Sequence, residues 1–188
     1  MKFLELVNKR YSVRSYKDKP VDRKIIERCL EAARLAPSAS NSQPWYFIVV
    51  DDPELKDKIA RRTFNRFISF NRFAREAPVL VVVITEKSNL FARLGGMIKG
   101  KRYNLIDIGI AVEHFCLQAT EEGIGTCILG WFDEEGIKKI LKIPKNKSVD
   151  LIITMGYPKD KPKKKNRKSL DEIRSYNKYQ TLPKKIYE

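Results

Sequence analysis

One long apolar stretch, residues 106–119, constrains the fold more than any other part of the chain. Apolar side chains occupy most of its positions and leave few for water: Ile106, Ile108, Ile110, Ala111, Val112, Phe115, Cys116, Leu117 and Ala119. A helix that is apolar nearly all round lies at the centre of a core or across a subunit interface. The sequence therefore predicts a long buried helix with the other elements packed around it.

Shorter helices and strands are predicted along the rest of the chain. Asp22 is the expected N-cap of an amphipathic helix that has to end before Pro37, because the residue preceding a proline is disfavoured in the α region. Asp133 is the expected cap of another helix. Helical or strand-like patterns also occupy these ranges: a helix at residues 51–62, and strands at residues 46–50, 79–84, 126–132 and 150–156. With no internal repeat, residues 1–188 are interpreted as one domain, in which 159–188 form a basic loop and a C-terminal tail.

Three further segments have less regular patterns. Phenylalanine at every third position in residues 63–75 is typical of one helical face packed on the core or on a partner. Arginines between these phenylalanines also fit the binding of single-stranded nucleic acid, a minor alternative. Glycines in residues 90–102 indicate a mobile segment and a candidate lid. Apolar residues three apart in the tail predict that it docks on a surface.

The charge balance restricts the class of partner. There are 38 Lys and Arg against 23 Asp and Glu, a formal net charge of +15, which favours phosphate-bearing cofactors, nucleic acid or acidic membrane surfaces without choosing among them. Three cysteines in apolar stretches, without C-x-x-C spacing, indicate buried reduced thiols. Glu5 interrupts what would be a signal-peptide core, and the longest clean apolar run is too short to span a bilayer. We therefore expect a cytoplasmic protein that is not embedded in a membrane.

A polar loop joins the helix that begins after Asp22 to the first strand. It reads Ala-Pro-Ser-Ala-Ser-Asn-Ser-Gln-Pro-Trp over residues 36–45. Its two prolines restrict the backbone, and its Ser, Asn and Gln side chains offer hydrogen bonds in several directions. An ordinary helix-to-strand connector has the same composition, so the loop alone does not indicate a binding site.

A second candidate site lies upstream, in the sequence Arg-Tyr-Ser-Val-Arg of residues 10–14. If this segment is extended, residues two apart share a face, so that Arg10, Ser12 and Arg14 point the same way. Two guanidinium groups and a hydroxyl form a plausible cradle for a phosphate. A solvated basic face is the alternative, because a chain with 38 basic residues produces such spacing by chance.

The usual catalytic constellations are missing from the sequence. The single histidine, His114, falls inside the apolar stretch without Cys, His or acidic partners at ligand spacing, and we interpret it as structural. No metal site, P-loop or dinucleotide fingerprint is recognised. An enzyme without an evident acid, base or nucleophile usually takes its chemistry from a cofactor, and the polar, glycine-bearing and basic segments fit a flavin mononucleotide.

Four segments resemble motifs of the FMN-dependent nitroreductase family and stand in the family's order. They are residues 10–14, residues 37–45, Gly-Thr-Cys-Ile-Leu-Gly-Trp-Phe at 125–132, and Arg-Lys-Ser-Leu-Asp-Glu-Ile at 167–173. The resemblance implies an α+β, nitroreductase-like fold with a mixed central sheet flanked by helices. It also implies a homodimer built around the long central helix, with two FMN molecules at the interface.

The same resemblance implies roles for individual residues. Arg10 and Ser12 would hold the phosphate and ribityl chain with Arg167 and Lys165, and Arg14 would lie near the N1/O2 edge of the flavin. The other implied cofactor-binding positions are Pro37, Ser38, Ala39 and Asn41 from the partner subunit's loop, Ile128, Leu129 and Gly130 behind the ring, and Asn71 at its polar edge. Ser40 would face the substrate, and no side chain would be catalytic, because the flavin N5 carries the hydride.

The function implied is that of a ping-pong oxidoreductase. NADH or NADPH would reduce bound FMN, and a small electron-poor acceptor such as a nitroaromatic or quinone would take the electrons. A specialised flavin reaction, reductive dehalogenation or flavin cleavage, is the alternative among enzymes. A non-catalytic flavin-binding or nucleic-acid-binding protein is the alternative of another class. Residues 62–103, which would cover the substrate, match no subfamily pattern, so the sequence does not identify the acceptor.

Overall fold

The computed structural model describes residues 1–162 and 164–180 of the chain. Its helices are α1 (Phe3–Lys9), α2 (Arg23–Arg34), α3 (Pro53–Ala60), α4 (Leu90–Lys99), α5 (Tyr103–Glu121) and α6 (Glu134–Leu141). Its strands are β1 (Trp45–Val50), β2 (Val79–Thr85), β3 (Gly125–Leu129) and β4 (Ser148–Gly156). Among the described residues, no helix combines the length and the apolar character that crossing a membrane requires.

The four strands form one sheet in the order β1-β2-β4-β3, and every pairing between them is antiparallel. The α+β class is therefore confirmed. A parallel contact, which the expected mixed sheet requires, occurs in the described residues as the isolated bridge between Ser12 and Thr126 outside the named strands. That bridge adds the segment around Ser12 to the edge of the sheet beside β3.

Helices cover both faces of the sheet, and β2 shows this directly. Its residues Val79, Val81 and Val83 pack in one core with α2 and α5, whereas Leu80, Val82 and Ile84 pack in a second core with α3 and α6. Side chains alternate between the two faces of a strand, so a strand buried on both faces reads as an unbroken apolar run. The sheet is therefore the middle layer of the molecule.

Helix α5 lies along one face of the sheet, as its composition predicts. Phe115 is fully buried and its ring lies 6.4 Å from that of Phe47 on β1. The opposite side of α5 is partly left uncovered by the described residues, and Ile106 there is 53% exposed. His114 has its Nδ1 3.3 Å from the carbonyl oxygen of Ala32 on α2, which fits a structural histidine.

Short-range signals placed the helix starts correctly. Asp22, Asp52 and Asp133 each accept a hydrogen bond from a backbone amide in the first turn of the helix that follows, at 2.8 to 2.9 Å. Helix α2 ends at Arg34, before Pro37, as expected. All three cysteines are buried and unpaired. Burial raises the pKa of the Cys29 and Cys116 thiols to about 12, which keeps both thiols protonated near neutral pH.

The helix expected over residues 63–75 is wrong. Only two short 3-10 turns form there, Arg61–Thr63 and Arg72–Arg75. Between them the Oδ1 atom of Asn65 accepts hydrogen bonds from the amides of Phe67 and Ile68, both at 2.8 Å, which takes up donors that a helix would need. Phe67 and Phe70 are 91% and 64% exposed, whereas Phe73 packs against the second core, so these phenylalanines do not form one packed helical face.

Two other expectations concern residues 90–102 and the tail. The glycine-containing segment forms the regular helix α4, which is capped by Gly100 in the left-handed region (φ 60°), and its role as a lid stays a prediction. The tail residues that lie three apart, Leu170, Ile173, Tyr176 and Tyr179, are between 66% and 87% exposed. The docking expected of these side chains therefore stays a prediction. Residues 181–188, the end of the predicted tail, lie outside the described residues.

Candidate functional site

The segment of residues 10–14 runs extended along the free edge of β3. The Val13 amide donates to the Thr126 carbonyl at 2.9 Å, and Ser12 forms the parallel bridge to Thr126. Val13 is buried, whereas Ser12 and Arg14 are exposed on the other side of the segment. The extended conformation on which the phosphate cradle depends is therefore confirmed.

A glycine allows this segment to approach β3 closely. A β-carbon on Gly125 would lie 2.4 Å from Cγ2 of Val13, a distance that no real side chain tolerates. Tyr16 fixes the same segment from behind, because its buried hydroxyl donates to the Val13 carbonyl at 2.9 Å and shares a hydrogen bond of 2.6 Å with Oγ1 of Thr154. Burial raises the pKa of Tyr16, so the hydroxyl stays a neutral donor.

The chain after β4 closes the other side of the segment. The Lys159 amide donates to the Ser15 carbonyl at 3.0 Å, and the Tyr11 hydroxyl donates to the Asp160 carbonyl at 2.6 Å. These bonds bring the basic run that follows Asp160 against residues 10–14. About 150 residues of chain separate the two segments, so local sequence patterns cannot show that they meet.

The two segments enclose a cavity of about 450 Å³. Its lining includes Arg10, Ser12, Arg14, Lys161, Lys164, Lys165 and Arg167. Every residue that the sequence assigned to phosphate binding is thus present in one cavity. Two cations, Lys161 and Lys164, were not singled out beforehand, although their position in the dense basic run was a signal for them.

The positive charges of the cavity are only partly balanced within the chain. The Nε atom of Arg10 lies 3.4 Å from the carboxylate of Glu113 on α5. Lys165 donates to the Val7 carbonyl, and its pKa is lowered by partial burial, by Arg10 and by Arg167. Like charges that lower a lysine pKa are relieved by a bound anion. The cavity is therefore electrostatically prepared for a phosphate.

The end of β3 continues this site. Because the Ser12 bridge is parallel, the direction from Ser12 to Arg14 is also the direction from Thr126 to Ile128. Ile128 is 39% exposed and Leu129 is buried. A β-carbon on Gly130 would meet no atom within 4 Å in the described part of the chain, so there is room for a group to lie against its backbone.

The aromatic loop of residues 63–71 flanks the end of β3. Asn71 is buried, and its Nδ2 donates to the Trp131 carbonyl at 3.1 Å. The Phe70 ring meets the Trp131 ring edge-on with centroids 6.2 Å apart. Asn71 therefore lies beside the predicted flavin position, but one of its amide hydrogens is already donated to the Trp131 carbonyl.

The polar loop lies elsewhere in the chain. Residues 37–41, which include Pro37, Ser38, Ala39, Ser40 and Asn41, do not line the basic cavity. They precede β1, at the opposite edge of the sheet from β3. Three strand spacings separate these edges, roughly 14 Å. Within one chain, the structure brings the basic cavity and the end of β3 together but leaves the polar loop apart.

Two polar residues next to this loop were missed by sequence reasoning. Asp107 on α5 is buried, and its Oδ1 accepts a hydrogen bond of 3.1 Å from the Ala39 amide. The Nδ2 of Asn89 donates to the Ser40 carbonyl at 2.7 Å. A carboxylate inside an otherwise apolar stretch was an available signal for Asp107, whereas Asn89 resembled an ordinary helix cap.

Comparisons with known proteins identify the family of the chain. The family model described as "Nitroreductase family" matches residues 7–72 and 69–157. A nitroreductase family protein of Clostridium novyi is 35% identical, with 85% of this chain and 88% of that chain covered and a TM-score of 0.74. An FMN-dependent nitroreductase of Clostridium difficile is 28% identical, with 96% and 99% covered and a TM-score of 0.73.

A curated relative has a more specialised name. An iodotyrosine deiodinase of Thermotoga neapolitana is 30% identical over 185 residues, which cover 87% of this chain and 93% of that protein. The family match spans most of the chain and includes the first motif, the polar loop and the end of β3. On these grounds, the chain belongs to the nitroreductase family.

Proposed function

We propose that the protein is a homodimeric flavin enzyme that uses NAD(P)H to reduce a nitroaromatic, a quinone or a similar electron-poor acceptor in the cytoplasm. The oxidoreductase class, FMN and NAD(P)H are those of the family to which the chain belongs. The acceptor, the dimer and the residue roles are the proposal. The observation that supports it most strongly is the convergence of the predicted phosphate ligands on one cavity beside the open end of β3.

The residues of the site fit FMN in charge and in shape. The cavity offers several cations and the Ser12 hydroxyl, which suit a phosphate dianion and the first part of a ribityl chain. Gly130 leaves open space beside its backbone, which suits a flat ring. When it is bound, FMN supplies hydride acceptance at N5 and electron delivery to the acceptor, chemistry that the side chains present lack.

The side chains then have distinct tasks. Arg10, held by Glu113, and Arg167 bind the phosphate, with Lys165 as a third cation. Arg14, at the far end of the segment, places a permanent positive charge toward the polar edge of the flavin, where it favours the reduced anionic form. Ile128, Leu129 and Gly130 offer the backbone at the end of β3, and Asn71 orients the adjacent Trp131 carbonyl.

The position of the polar loop favours a second copy of the chain. Pro37, Ser38, Ala39, Ser40 and Asn41 do not line the cavity, and they precede β1 at the opposite edge of the sheet. Apolar side chains are exposed on α4 and at the start of the chain, and they join the uncovered side of α5: Phe3, Leu4, Leu90, Phe91, Leu94, Met97, Ile98 and Ile106. A dimer that buries this surface against the same surface of a second copy would explain its exposure in one chain. The same dimer would bring the polar loop of each chain to the flavin of the other.

Reductive dehalogenation remains the second candidate, and the similarity to an iodotyrosine deiodinase is the specific observation that favours it. The two candidates share the cofactor and differ in the acceptor. Exposed Phe70 next to Trp131 forms an aromatic surface near the end of β3, which suits an aromatic acceptor in either reaction.

The first test is the identity of the cofactor. The purified protein is expected to have a flavin absorption spectrum, to release FMN on denaturation at about one per chain, and to oxidise NAD(P)H faster when a nitroaromatic or quinone is added. Iodide release from iodotyrosine without turnover of nitroaromatics would favour dehalogenation. A colourless protein that also fails to bind added FMN would contradict both candidates.

Gly130→Ala tests the position of the ring. A methyl group there would meet no atom within 4 Å in the described part of the chain. The free energy of unfolding of the FMN-free protein should therefore change by no more than about 0.5 kcal/mol, as for an ordinary surface mutation. FMN affinity should fall because the methyl group would occupy the space assigned to the ring. Unchanged FMN affinity in a calorimetric titration would place the ring elsewhere.

A further inference from the structure

The polar loop has a conformation that its own residues do not favour. Ser40 (φ 49°), Asn41 (φ 52°) and Gln43 (φ 46°) all lie in the left-handed region, and none of them is glycine. Asparagine tolerates this region, but serine and glutamine rarely occupy it. Such backbone geometry persists only where surrounding contacts impose it.

Hydrogen bonds inside the loop close its turns. The Gln43 amide donates to Oγ of Ser38 at 2.9 Å, and the Asn41 amide donates to the Ser38 carbonyl at 3.0 Å. Because these bonds join the loop only to itself, they do not determine how it is placed against the rest of the molecule.

Two side chains outside the loop attach it to separate helices. Oδ1 of Asp107 on α5 accepts from the Ala39 amide at 3.1 Å, immediately before the left-handed residues. Nδ2 of Asn89 donates to the Ser40 carbonyl at 2.7 Å, one residue further on. The same Asn89 caps α4, because its Oδ1 accepts from the Ala92 amide at 2.9 Å. The peptide group before Ala39 and the peptide group after Ser40 are thus held from two directions.

Asp107 is an unfavourable residue at its buried position. It is only 4% exposed, and its Oδ2 has no hydrogen-bond partner among the residues that the structure describes. Burying a carboxylate in an apolar helix is unfavourable, and an apolar side chain of similar size usually stabilises such a site better. Packing of α5 therefore does not explain Asp107, whereas its bond to the Ala39 amide does.

We propose that Asp107 and Asn89 are positioning residues that hold the polar loop in its left-handed conformation, so that residues 38–41 meet the flavin correctly. The inference rests on the proposed function, in which this loop contacts the cofactor. Asn89 also joins the loop to α4, so that a displacement of α4 would withdraw the donor from the Ser40 carbonyl.

Two pairs of variants separate positioning from stability. Asn89→Asp retains an acceptor for the α4 cap but loses the donor to Ser40, and Asn89→Ala loses both. Asp107→Leu removes the acceptor for Ala39 and relieves the buried charge, whereas Asp107→Asn retains an acceptor oxygen. The readouts are the FMN dissociation constant, the urea midpoint without FMN, and the separate KM and kcat for one acceptor.

Positioning predicts that affinity and stability will change independently. Asn89→Asp should keep the wild-type urea midpoint and bind FMN about tenfold more weakly, the effect of one lost hydrogen bond to a backbone group. Asp107→Leu should bind FMN at least as weakly while its urea midpoint stays equal or rises, and Asp107→Asn should restore most of the affinity. Wild-type FMN affinity and KM in both Asn89→Asp and Asp107→Leu would overturn the proposal.

Amide hydrogen exchange distinguishes failure of this proposal from failure of the proposed function. Without FMN, the Ala39 amide should exchange slowly in the wild-type protein and much faster in Asp107→Leu. If the wild-type protein does not bind FMN but this difference is observed, the loop attachment stands and the cofactor assignment fails. If Asp107→Leu does not fold, Asn89→Asp alone decides, and its unchanged FMN affinity would overturn the proposal.

Discussion

At the scale of single residues, the cations of the basic cavity are not equivalent. Arg10 is mostly buried and oriented by Glu113, whereas Arg14 and Arg167 are exposed and free to adapt to a ligand. Lys165 is held against the Val7 carbonyl, and its pKa is lowered first by partial burial and then by the two neighbouring guanidinium groups. Substitutions in this cavity should therefore have different consequences for affinity and for its pH dependence.

The first prediction concerns the phosphate ligands. Arg10→Ala and Arg167→Ala should each weaken FMN binding by about 1–3 kcal/mol, because each removes a charged hydrogen bond to the phosphate. Fluorescence titration in dilute solution measures the change. Arg23→Ala is the matched control, since Arg23 is exposed and pairs with Asp51 on another surface. Full flavin occupancy in both site variants would show that Arg10 and Arg167 do not bind the FMN phosphate.

The second prediction concerns pH. The free protein has a lowered Lys165 pKa, and a bound phosphate dianion should raise it again, so FMN binding takes up a proton in the range between these two values. FMN affinity should therefore fall as the pH rises through the pKa of the free protein. Lys165→Arg stays charged and should show a smaller fall between neutral pH and the alkaline range. If the FMN affinities of the two proteins depend on pH in the same way, FMN binding is not coupled to protonation of Lys165.

The contribution of Lys165 to folding stability depends on pH in the opposite direction. Because the folded pKa of Lys165 lies below the unfolded value of 10.5, the unfolded chain binds more protons between the two values. The contribution of Lys165 to the stability of the FMN-free protein therefore rises with pH over that interval. Urea midpoints of the wild-type protein and Lys165→Arg, measured without FMN, provide the comparison.

At the scale of elements, the site depends on how closely the segment of residues 10–14 approaches β3. Gly125 leaves room for Val13, and Tyr16 fixes Val13 through its carbonyl. Neither Gly125 nor Tyr16 lines the basic cavity, yet both determine where Arg10 and Ser12 lie.

Gly125→Ala tests this dependence. The added methyl group would overlap the Val13 side chain, so the segment has to move away from β3 and FMN affinity should fall at least tenfold, about 1.4 kcal/mol or more. Gly95→Ala in α4 is the control, because its β-carbon would meet no atom within 4 Å in the described residues. Calorimetric titration and urea unfolding measure affinity and stability separately. An unchanged affinity in Gly125→Ala would show that the site does not require the close approach.

At the scale of the whole molecule, the proposed function requires a second copy of the chain. The basic cavity and the polar loop lie at opposite edges of the sheet, and the uncovered side of α5 is apolar. A second copy would complete the flavin site and bury this surface. Assembly and cofactor binding should therefore depend on each other.

Light scattering should give a molar mass of twice 21.9 kDa for the wild-type protein. Ile106→Lys places a charge on the uncovered side of α5 and should shift the protein toward the monomer with a loss of FMN affinity. Glu54→Lys on the exposed side of α3 should remain dimeric. A monomeric Ile106→Lys protein that binds FMN as tightly as the wild type would show that one chain forms the complete site.

The sequence by itself determined the features that depend on residues close together in the chain. The Asp22 and Asp133 caps and the apolar run of β2 follow from local hydrogen bonds, backbone limits and periodicity. The resemblance to the nitroreductase family, carried by short motifs, is confirmed by the family match. The residue roles within the flavin site remain predictions.

Only the tertiary structure decided which distant residues meet. Local patterns did not show that Lys161, Lys164, Lys165 and Arg167 line one cavity with Arg10, or that Asp107 binds the Ala39 amide. Contacts between residues far apart in the chain depend on how the packed layers orient their surfaces, and a periodic pattern contains no information about the partner. A phenylalanine at every third position therefore suggested a helix, while the packed chain formed an exposed loop beside the candidate site.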